Sequence, residues 1–436
     1  MSTHVTHLES QPDVTAIAGS RRQALVLATL GFFGGFAGVA VFGPLVPRFR
    51  DLLGLSPVAA ALLASMPNLT GSLLRIPFGA AVDRFGGKAP MLTLLAVTLA
   101  GLGGLLWLLH ASYPAHMAGT YPLLLALAIF IGCGIASFSV GIPQVSYWFP
   151  KREQGSALGV YGGLGNLSPG LSTLFLPLAV ASLGMFAGYG IWLALLLGIT
   201  LIYAAFIHDA PVFQLRRRGV KPDPARLAAL GGGEAIPAGS ATAGLVGAAR
   251  IPATWSLVSF YFLSFGGFMA LTAWLPTYWH AMYGSSLRDA GILTAAFSLL
   301  AAIVRVGGGI ASDRLPIRYA LAGNFALMLV GLLAVSLSAN FALSLAGTIA
   351  IAVGMGLQNA IVFKLLPTYI PHDVGGAAGW VGGLGALGGF ALPPVMGIAT
   401  AVAGGAEGYA RGFLPVAALV LIAIPFAFTL TRREPT

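Results

Sequence analysis

The sequence predicts an all-α membrane protein with twelve transmembrane helices in two six-helix pseudo-repeat halves. Three observations carry this. The 436 residues are 57% hydrophobic and 8% charged, with a mean hydropathy of +0.88, whereas about a quarter of the residues of a soluble domain are charged. Twelve apolar runs reach the roughly 20 residues that a bilayer-crossing helix needs. The second six runs also repeat motifs of the first six in the same order, the mark of a duplicated unit.

The runs fall near 24–47, 57–82, 90–110, 122–148, 155–180, 188–208, 253–280, 288–312, 320–339, 341–369, 375–401 and 412–430. Residues 1–23 form a tail whose first 20 residues are polar. The first run is too long for a signal-peptide core, and Pro44 and Pro47 stand where small cleavage-site residues would be, so it reads as a retained span. The segments 24–209 and 253–430 are the two halves, and 431–436 is a C-terminal tail. Between the halves, 210–252 is basic first (Arg216 to Arg218) and then rich in Gly, Ala and Ser, which reads as a flexible linker. With the tails, this linker and the loops on the same side placed in the cytoplasm, that side holds 16 Lys and Arg against 4 on the other (Arg48, Arg50, Arg288, Arg411). The positive-inside rule therefore expects both termini in the cytoplasm of a multi-pass plasma or inner membrane protein.

The repeat is visible residue by residue. Arg75 is followed by Asp83-Arg84, and Arg305 by Asp313-Arg314 at the same spacing. Gly162-Gly163-Leu164-Gly165-Asn166 is echoed by Gly382-Gly383-Leu384-Gly385-Ala386, and Trp148-Phe149-Pro150 by Tyr369-Ile370-Pro371. Repeated halves place a transport site between them, near the bilayer midplane.

Several function classes are excluded early. The net charge is +10, but a chain this apolar has too little polar surface for a nucleic-acid binder. A single cysteine, Cys133, leaves no intrachain disulfide and no multi-cysteine metal site. No nucleophile–base constellation or metal-ligand cluster appears, so an enzyme is not expected, and neither a metal nor a cofactor is implied. The 13 acids all lie in tails, loops or helix ends, and the seven histidines lie at termini or near span boundaries, so no carboxylate or imidazole stands mid-span for a proton relay.

Arg75 and Arg305 break the pattern. Each precedes a helix-ending Asp by eight residues, or about 12 Å at the α-helical rise, against about 15 Å for half a bilayer core. An unpaired charge there costs at least roughly 2.5–3.5 kcal/mol. With no mid-span acid, the simplest counter-charge is a bound anion, and a guanidinium offers planar paired donors suited to a planar oxyanion. A bland alternative stays open: a buried arginine that bonds backbone carbonyls at a broken helix, or snorkels. Two arginines at repeat-equivalent positions weigh against it. Lys364, some five residues from its span's end, reads as snorkelling.

The glycine segments 159–170 and 375–389 read as small-residue packing faces, and also as backbone close to a small substrate, with Asn166 as an amide donor. Neither follows a strand, which excludes a dinucleotide fingerprint. Phe33, Phe36, Phe42, Phe138, Tyr261 and Phe265 stand near the same level. Tyr261 and Phe265, at i and i+4, share a helix face.

Taken together these strings resemble the nitrate/nitrite porter family (NarK-type) of the major facilitator superfamily, over roughly residues 24–430. The matching strings are L-T-G-S-L-L-R-I-P-F-G around Arg75, D-R-F-G-G-K from Asp83, S-F-S-V-G around Phe138, W-F-P-K-R-E-Q-G from Trp148 and G-L-G-N from Gly163 to Asn166. In the second half they are Y-F-L-S-F-G-G-F from Tyr261, R-V-G-G-G-I-A-S-D-R from Arg305, F-K-L-L-P from Phe363 and G-L-G-A-L-G-G-F from Gly383. The resemblance implies the major facilitator fold and a monomeric carrier whose partners are nitrate and nitrite anions and membrane lipid. It implies an anion site of Arg75, Arg305, Asn166, Tyr261, Phe138 and Phe265, with Phe36 as the first-helix ring and Phe33 and Phe42 as its alternatives. Gly163, Gly165, Gly383 and Gly385 join the site, and Asp83, Arg84, Asp313 and Arg314 serve conformational change. One departure is Gly356-Leu357-Gln358-Asn359-Ala360, where the family often has G-N-G. Exchange of nitrate for nitrite is the expected mode. Proton-coupled nitrate symport and a small-carboxylate exchanger for formate- or oxalate-like anions are the alternatives.

Overall fold

The computed structural model describes residues 17–237, 241–311, 317–370 and 374–431. Among them, eleven helical stretches are long and apolar enough to cross a membrane. We label them α1 (Arg21–Leu53), α2 (Pro57–Phe85), α3 (Lys88–Ser112), α4 (Tyr121–Ser146), α5 and α6 (within Lys151–Phe206), α7 (Pro252–Tyr283), α8 (Leu287–Arg305), α9 (Tyr319–Leu337), α10 (Phe341–Leu366), α11 (Gly375–Ala403) and α12 (Glu407–Phe428).

The stretch Lys151–Phe206 holds 56 residues and contains two passes. It breaks at Gly184, which has φ 83° and ψ 169°, a conformation open to glycine but strained for residues with a Cβ. A Cβ added at Gly188 would lie 2.6 Å from Val180 Cγ2. Those residues would be about 12 Å apart along a straight helix, so the chain folds back at Gly184. Residues 151–183 are α5 and 185–206 are α6, and the membrane-length helices among the described residues number twelve.

Local chemistry sets other boundaries. Ser56 caps α2 by accepting from Ala59 N, with Pro57 in the first turn. Asn340 caps α10 by accepting from Leu343 N, which lets α9 and α10 meet through a three-residue turn, 338–340. α1 is not one uniform helix. Its α-helical part ends at Phe36 and passes into 3-10 turns at Ala37–Ala40 and Gly43–Leu45, ahead of Pro47.

Within the first half, α1 and α4 touch backbone to backbone. A Cβ at Gly35 would stand 2.4 Å from the Gly134 carbonyl oxygen and 2.9 Å from Ser137 Oγ. Lipid gives helices no hydrophobic reason to pair, so close backbone approach supplies the packing. Gly35→Ala is therefore expected to destabilise by about 1–3 kcal/mol, read as a lower unfolding temperature in detergent and a smaller monodisperse fraction. An unchanged melt would refute the contact.

The halves meet along several seams. Asn68 Nδ2 of α2 donates to the Gly389 carbonyl of α11 at 3.1 Å. Gly43 of α1 lies against Ala273 of α7, and Gly170 of α5 against Leu299 of α8. Arg50 Nη1, at the end of α1, bonds Tyr409 Oη at the start of α12.

The segment joining the halves differs from its flexible reading. It carries three short helices, Pro211–Arg217, Pro224–Ala229 and Ala241–Ala249. Proline opens the first two, and Asp223 caps the second by accepting from Arg226 N. The segment is also anchored. Arg217 pairs with the buried Asp209 at 2.6 Å, Arg21 Nε donates to the Gly231 carbonyl at 2.7 Å, and Gly244 packs against Gly376 of α11.

Candidate anion-binding site

Arg75 sits where α2 changes course. One helical piece ends at Leu73 and another begins at Arg75. The side chain is 1% exposed. Its Nη1 donates to the Gly382 carbonyl at 3.1 Å, while Nε and Nη2 have no protein partner. Gly382 lies in a π-helical turn, Val381–Gly385, of α11, so the bond crosses from one half to the other. The carbonyl-bonding alternative thus accounts for one donor among the five hydrogens of the guanidinium. Arg305, on α8, is half-buried and its Nη1 is buried without a partner. Among the described residues, no carboxylate forms an ion pair with either arginine.

Both guanidiniums face the same two rings. The Cζ of Arg75 is 5.0 Å from the centroids of Phe138 and of Phe265. That of Arg305 is 6.0 Å from Phe138 and 5.4 Å from Phe265. Phe138 belongs to α4 and Phe265 to α7, and the rings stack across the interface at 6.2 Å. Such cation–π contacts are worth about 0.5–2 kcal/mol each, less than a full counter-charge.

Other rings complete the wall. Tyr261 stacks on Phe265 at 4.8 Å with 7° between planes. Their turn is π-helical over Phe262–Gly266, a form that recurs at functional sites. The Tyr261 hydroxyl is buried beside Arg75, and Ser264 Oγ one turn on is buried without a partner among the described residues. Phe36 stacks on Phe265 at 6.1 Å. Phe42 packs on Phe49 instead, and Phe33 lines an outward apolar groove with Trp192. Of the three first-helix candidates, Phe36 is the one that meets Phe265, a ring facing both arginines.

Three aromatic residues that sequence reasoning did not place there join this ring cluster. Phe32, one turn before Phe36, packs on Phe36, Phe138 and Tyr161 at 5.0–5.2 Å. Tyr161 donates to the carbonyls of Ser137 and Phe138, both at 3.0 Å, and so fixes the backbone beneath the Phe138 ring. Phe363 meets Tyr261 edge-on at 5.0 Å. The i, i+4 spacing of Phe32 and Phe36, and the positions of Tyr161 in the glycine string and Phe363 in F-K-L-L-P, were the available signals.

Asn166 ends the helix Lys151–Gly165. Its Nδ2 donates to the Gly162 carbonyl at 2.5 Å, and its Oδ1 is buried without a partner. The glycines allow close approach where a side chain would clash. A Cβ at Gly165 would fall 1.9 Å from Phe32 Cδ1, one at Gly385 2.8 Å from Tyr261 Cβ, and one at Gly383 2.7 Å from Ile76 Cγ1. Gly163 is half-buried on the same segment as Gly165.

Away from the ring cluster, Asp83 Oδ1 accepts from the Tyr147 hydroxyl at 2.6 Å, and its carbonyl accepts from Arg216 Nη1 at 3.4 Å. Burial, and then the Asp83 acceptor, push the Tyr147 phenol well above its ordinary range, so it remains a donor. Arg84 is exposed, with its guanidinium 5.1 Å from the Phe85 ring. Asp313 and Arg314 lie outside the described residues.

The sequence pattern of the Major Facilitator Superfamily matches residues 28–393. A probable nitrate/nitrite transporter of Mycobacterium tuberculosis, NarK2, is 34% identical, with 94% of this chain and 96% of that protein covered. A probable nitrate/nitrite antiporter of Thermus thermophilus, NarK1, is 32% identical over 88% of this chain and 86% of its own. The nitrite extrusion protein of Bacillus subtilis is 28% identical over 94% of each. Among solved structures, a partially occluded inward-open form of the E. coli xylose transporter XylE superimposes with a TM-score of 0.71 at 14% identity, over 96% of this chain and all of that one. A bacterial homologue of the lysosomal transporter Spinster gives 0.70 at 15%, over 96% and 98%. At such identities the solved structures speak for the fold.

Proposed function

The chain belongs to the major facilitator superfamily and, within it, to the nitrate/nitrite porters, and from that premise we propose that it carries nitrate and nitrite, held between Arg75 and Arg305. The observation that carries this reading is a set of buried donors without partners among the described residues, Arg75 Nε and Nη2 and Arg305 Nη1, with the Tyr261 hydroxyl beside Arg75. Buried N–H and O–H groups left unpaired are costly, and charged ones most of all. A small planar oxyanion accepts several such bonds in one plane while its faces lie against rings.

Arg75 comes from the first half and Arg305 from the second, so an anion bonded to both draws the halves together. Without it, closing brings two like charges into a shrinking low-dielectric space. The loaded carrier therefore crosses more readily than the unloaded one, which favours exchange. Nitrate enters as nitrite leaves, and no mid-span acid takes up a proton. The surplus of 16 basic residues over 4 supports cytoplasmic termini. Formate and oxalate, planar as well, are the competitors that test the selectivity.

The test is nitrate uptake into vesicles containing the purified protein. Nitrite preloaded inside should accelerate uptake at least about tenfold, as expected if the unloaded return is slowed by more than about 1.4 kcal/mol, and a pH gradient alone should not. Uptake driven by the pH gradient without internal nitrite would establish symport. Uptake abolished by equimolar formate or oxalate would point to a carboxylate carrier.

A further inference from the structure

A cavity of about 580 Å³ lies between the halves on the face opposite the tails. The α1–α2 corner contributes Arg50 and Asp51, the end of α7 Thr277 and His280, the end of α11 Thr400, and the start of α12 Tyr409. Thr277 is twelve residues beyond Phe265 on α7, or about 18 Å along the helix, so this cavity is distinct from the arginine site.

Its chemistry favours an anion. Arg50 is half-buried, bonds Tyr409 Oη through Nη1 and sits 5.5 Å from that ring's centroid. A phenol that accepts from a guanidinium keeps its own hydrogen to donate. Thr400 is 2% exposed, and its hydroxyl has no partner. Asp51 stands exposed on the rim and, among the described residues, forms no ion pair with Arg50. Residues bearing a fixed cation, a phenol and a buried hydroxyl thus line one space open to the aqueous face.

We propose that this cavity is a docking subsite for a small monovalent oxyanion, bound by Arg50 with the Tyr409 and Thr400 hydroxyls before it passes to the site of Arg75 and Arg305. The proposal rests on the reading of the chain as a nitrate/nitrite carrier. The subsite also serves the seam. Arg50 belongs to the first half and Tyr409 to the second, so an anion that takes over the Arg50 donors loosens a bond holding the halves closed.

Sidedness provides the test. Nitrate uptake is measured in vesicles of both orientations, for the wild type and for Arg50→Gln, Thr400→Val and Tyr409→Phe. Loss of a charge-assisted bond should raise the KM at the face opposite the tails about tenfold in Arg50→Gln, with smaller rises in the hydroxyl variants. The KM at the tail face should move less than about twofold in all three, which also shows that they fold. Equal shifts at both faces, or none at either, overturn the subsite while leaving the carrier reading intact. If Arg50→Gln loses uptake at both faces through misfolding, the two hydroxyl variants decide by the same criterion. A wild type that takes up neither nitrate nor nitrite overturns the carrier reading and the subsite with it.

Discussion

Arg305→Ala is expected to reduce nitrate uptake by at least about 100-fold, and Arg75→Ala to do the same, each without loss of the folded protein. The magnitude follows from the bonds removed. A charge-assisted hydrogen bond contributes about 1.5–3 kcal/mol, and a guanidinium offers two in one plane. The fold should survive because the Arg75 charge is a burden to it. The side chain is 1% exposed, has one carbonyl partner and leaves two nitrogens unpaired. Removing a buried charge without a counter-ion relieves desolvation, so Arg75→Ala should melt no lower than the wild type. Lysine is expected to restore little, since an ammonium lacks the planar fork and stacks less well over Phe138 and Phe265. Wild-type uptake by either alanine variant would remove that arginine from the anion site.

Gly165→Ala should disable the carrier by a different route. The added methyl would fall 1.9 Å from Phe32 Cδ1. That ring has no slack, since it already packs on Phe36, Phe138 and Tyr161. Overpacking of this kind costs about 1–3 kcal/mol, and here the displaced ring pushes on Phe138, which faces both arginines. Uptake should fall at least about tenfold, an effect on the scale of that strain. Phe32→Leu in the Gly165→Ala background should recover much of it. If the double variant is as impaired as the single one, the clash is not the cause.

What the sequence made legible follows from how singular each signal is. A cation inside an apolar run is rare and costly, so Arg75 and Arg305 stand out without any structure. The twelve passes were equally legible, because span length is fixed by the bilayer. Which ring of α1 faces the arginines was not. The change from α-helix to 3-10 turns at Ala37 alters the rotation of Phe42 relative to the earlier rings, and Phe33 and Phe36 lie three residues apart on the preceding helix, on neighbouring parts of one face, so helical periodicity does not choose among the three. Phe32 was hidden because its place depends on the missing side chain of Gly165, a contact between α1 and α5. The linker helices were hidden by composition. The Gly- and Ala-rich stretch has little amphipathic pattern, and the segment is held by the Arg217–Asp209 pair, by Arg21 on the Gly231 carbonyl and by Gly244 against Gly376.

The paired rings also bear on how tightly the two fluxes of an exchanger are tied. Perfect one-for-one exchange requires that the unloaded protein never reorient. Phe138 and Phe265 offer both guanidiniums a weak substitute partner, worth about 0.5–2 kcal/mol per contact, against at least roughly 2.5–3.5 kcal/mol for each bare charge. The difference leaves a high barrier of finite height. Under the exchange proposed above, slippage, the net movement of nitrate without a returning anion, would be set by these two phenylalanines, and leucine at either position is expected to tighten the stoichiometry while slowing the unloaded return.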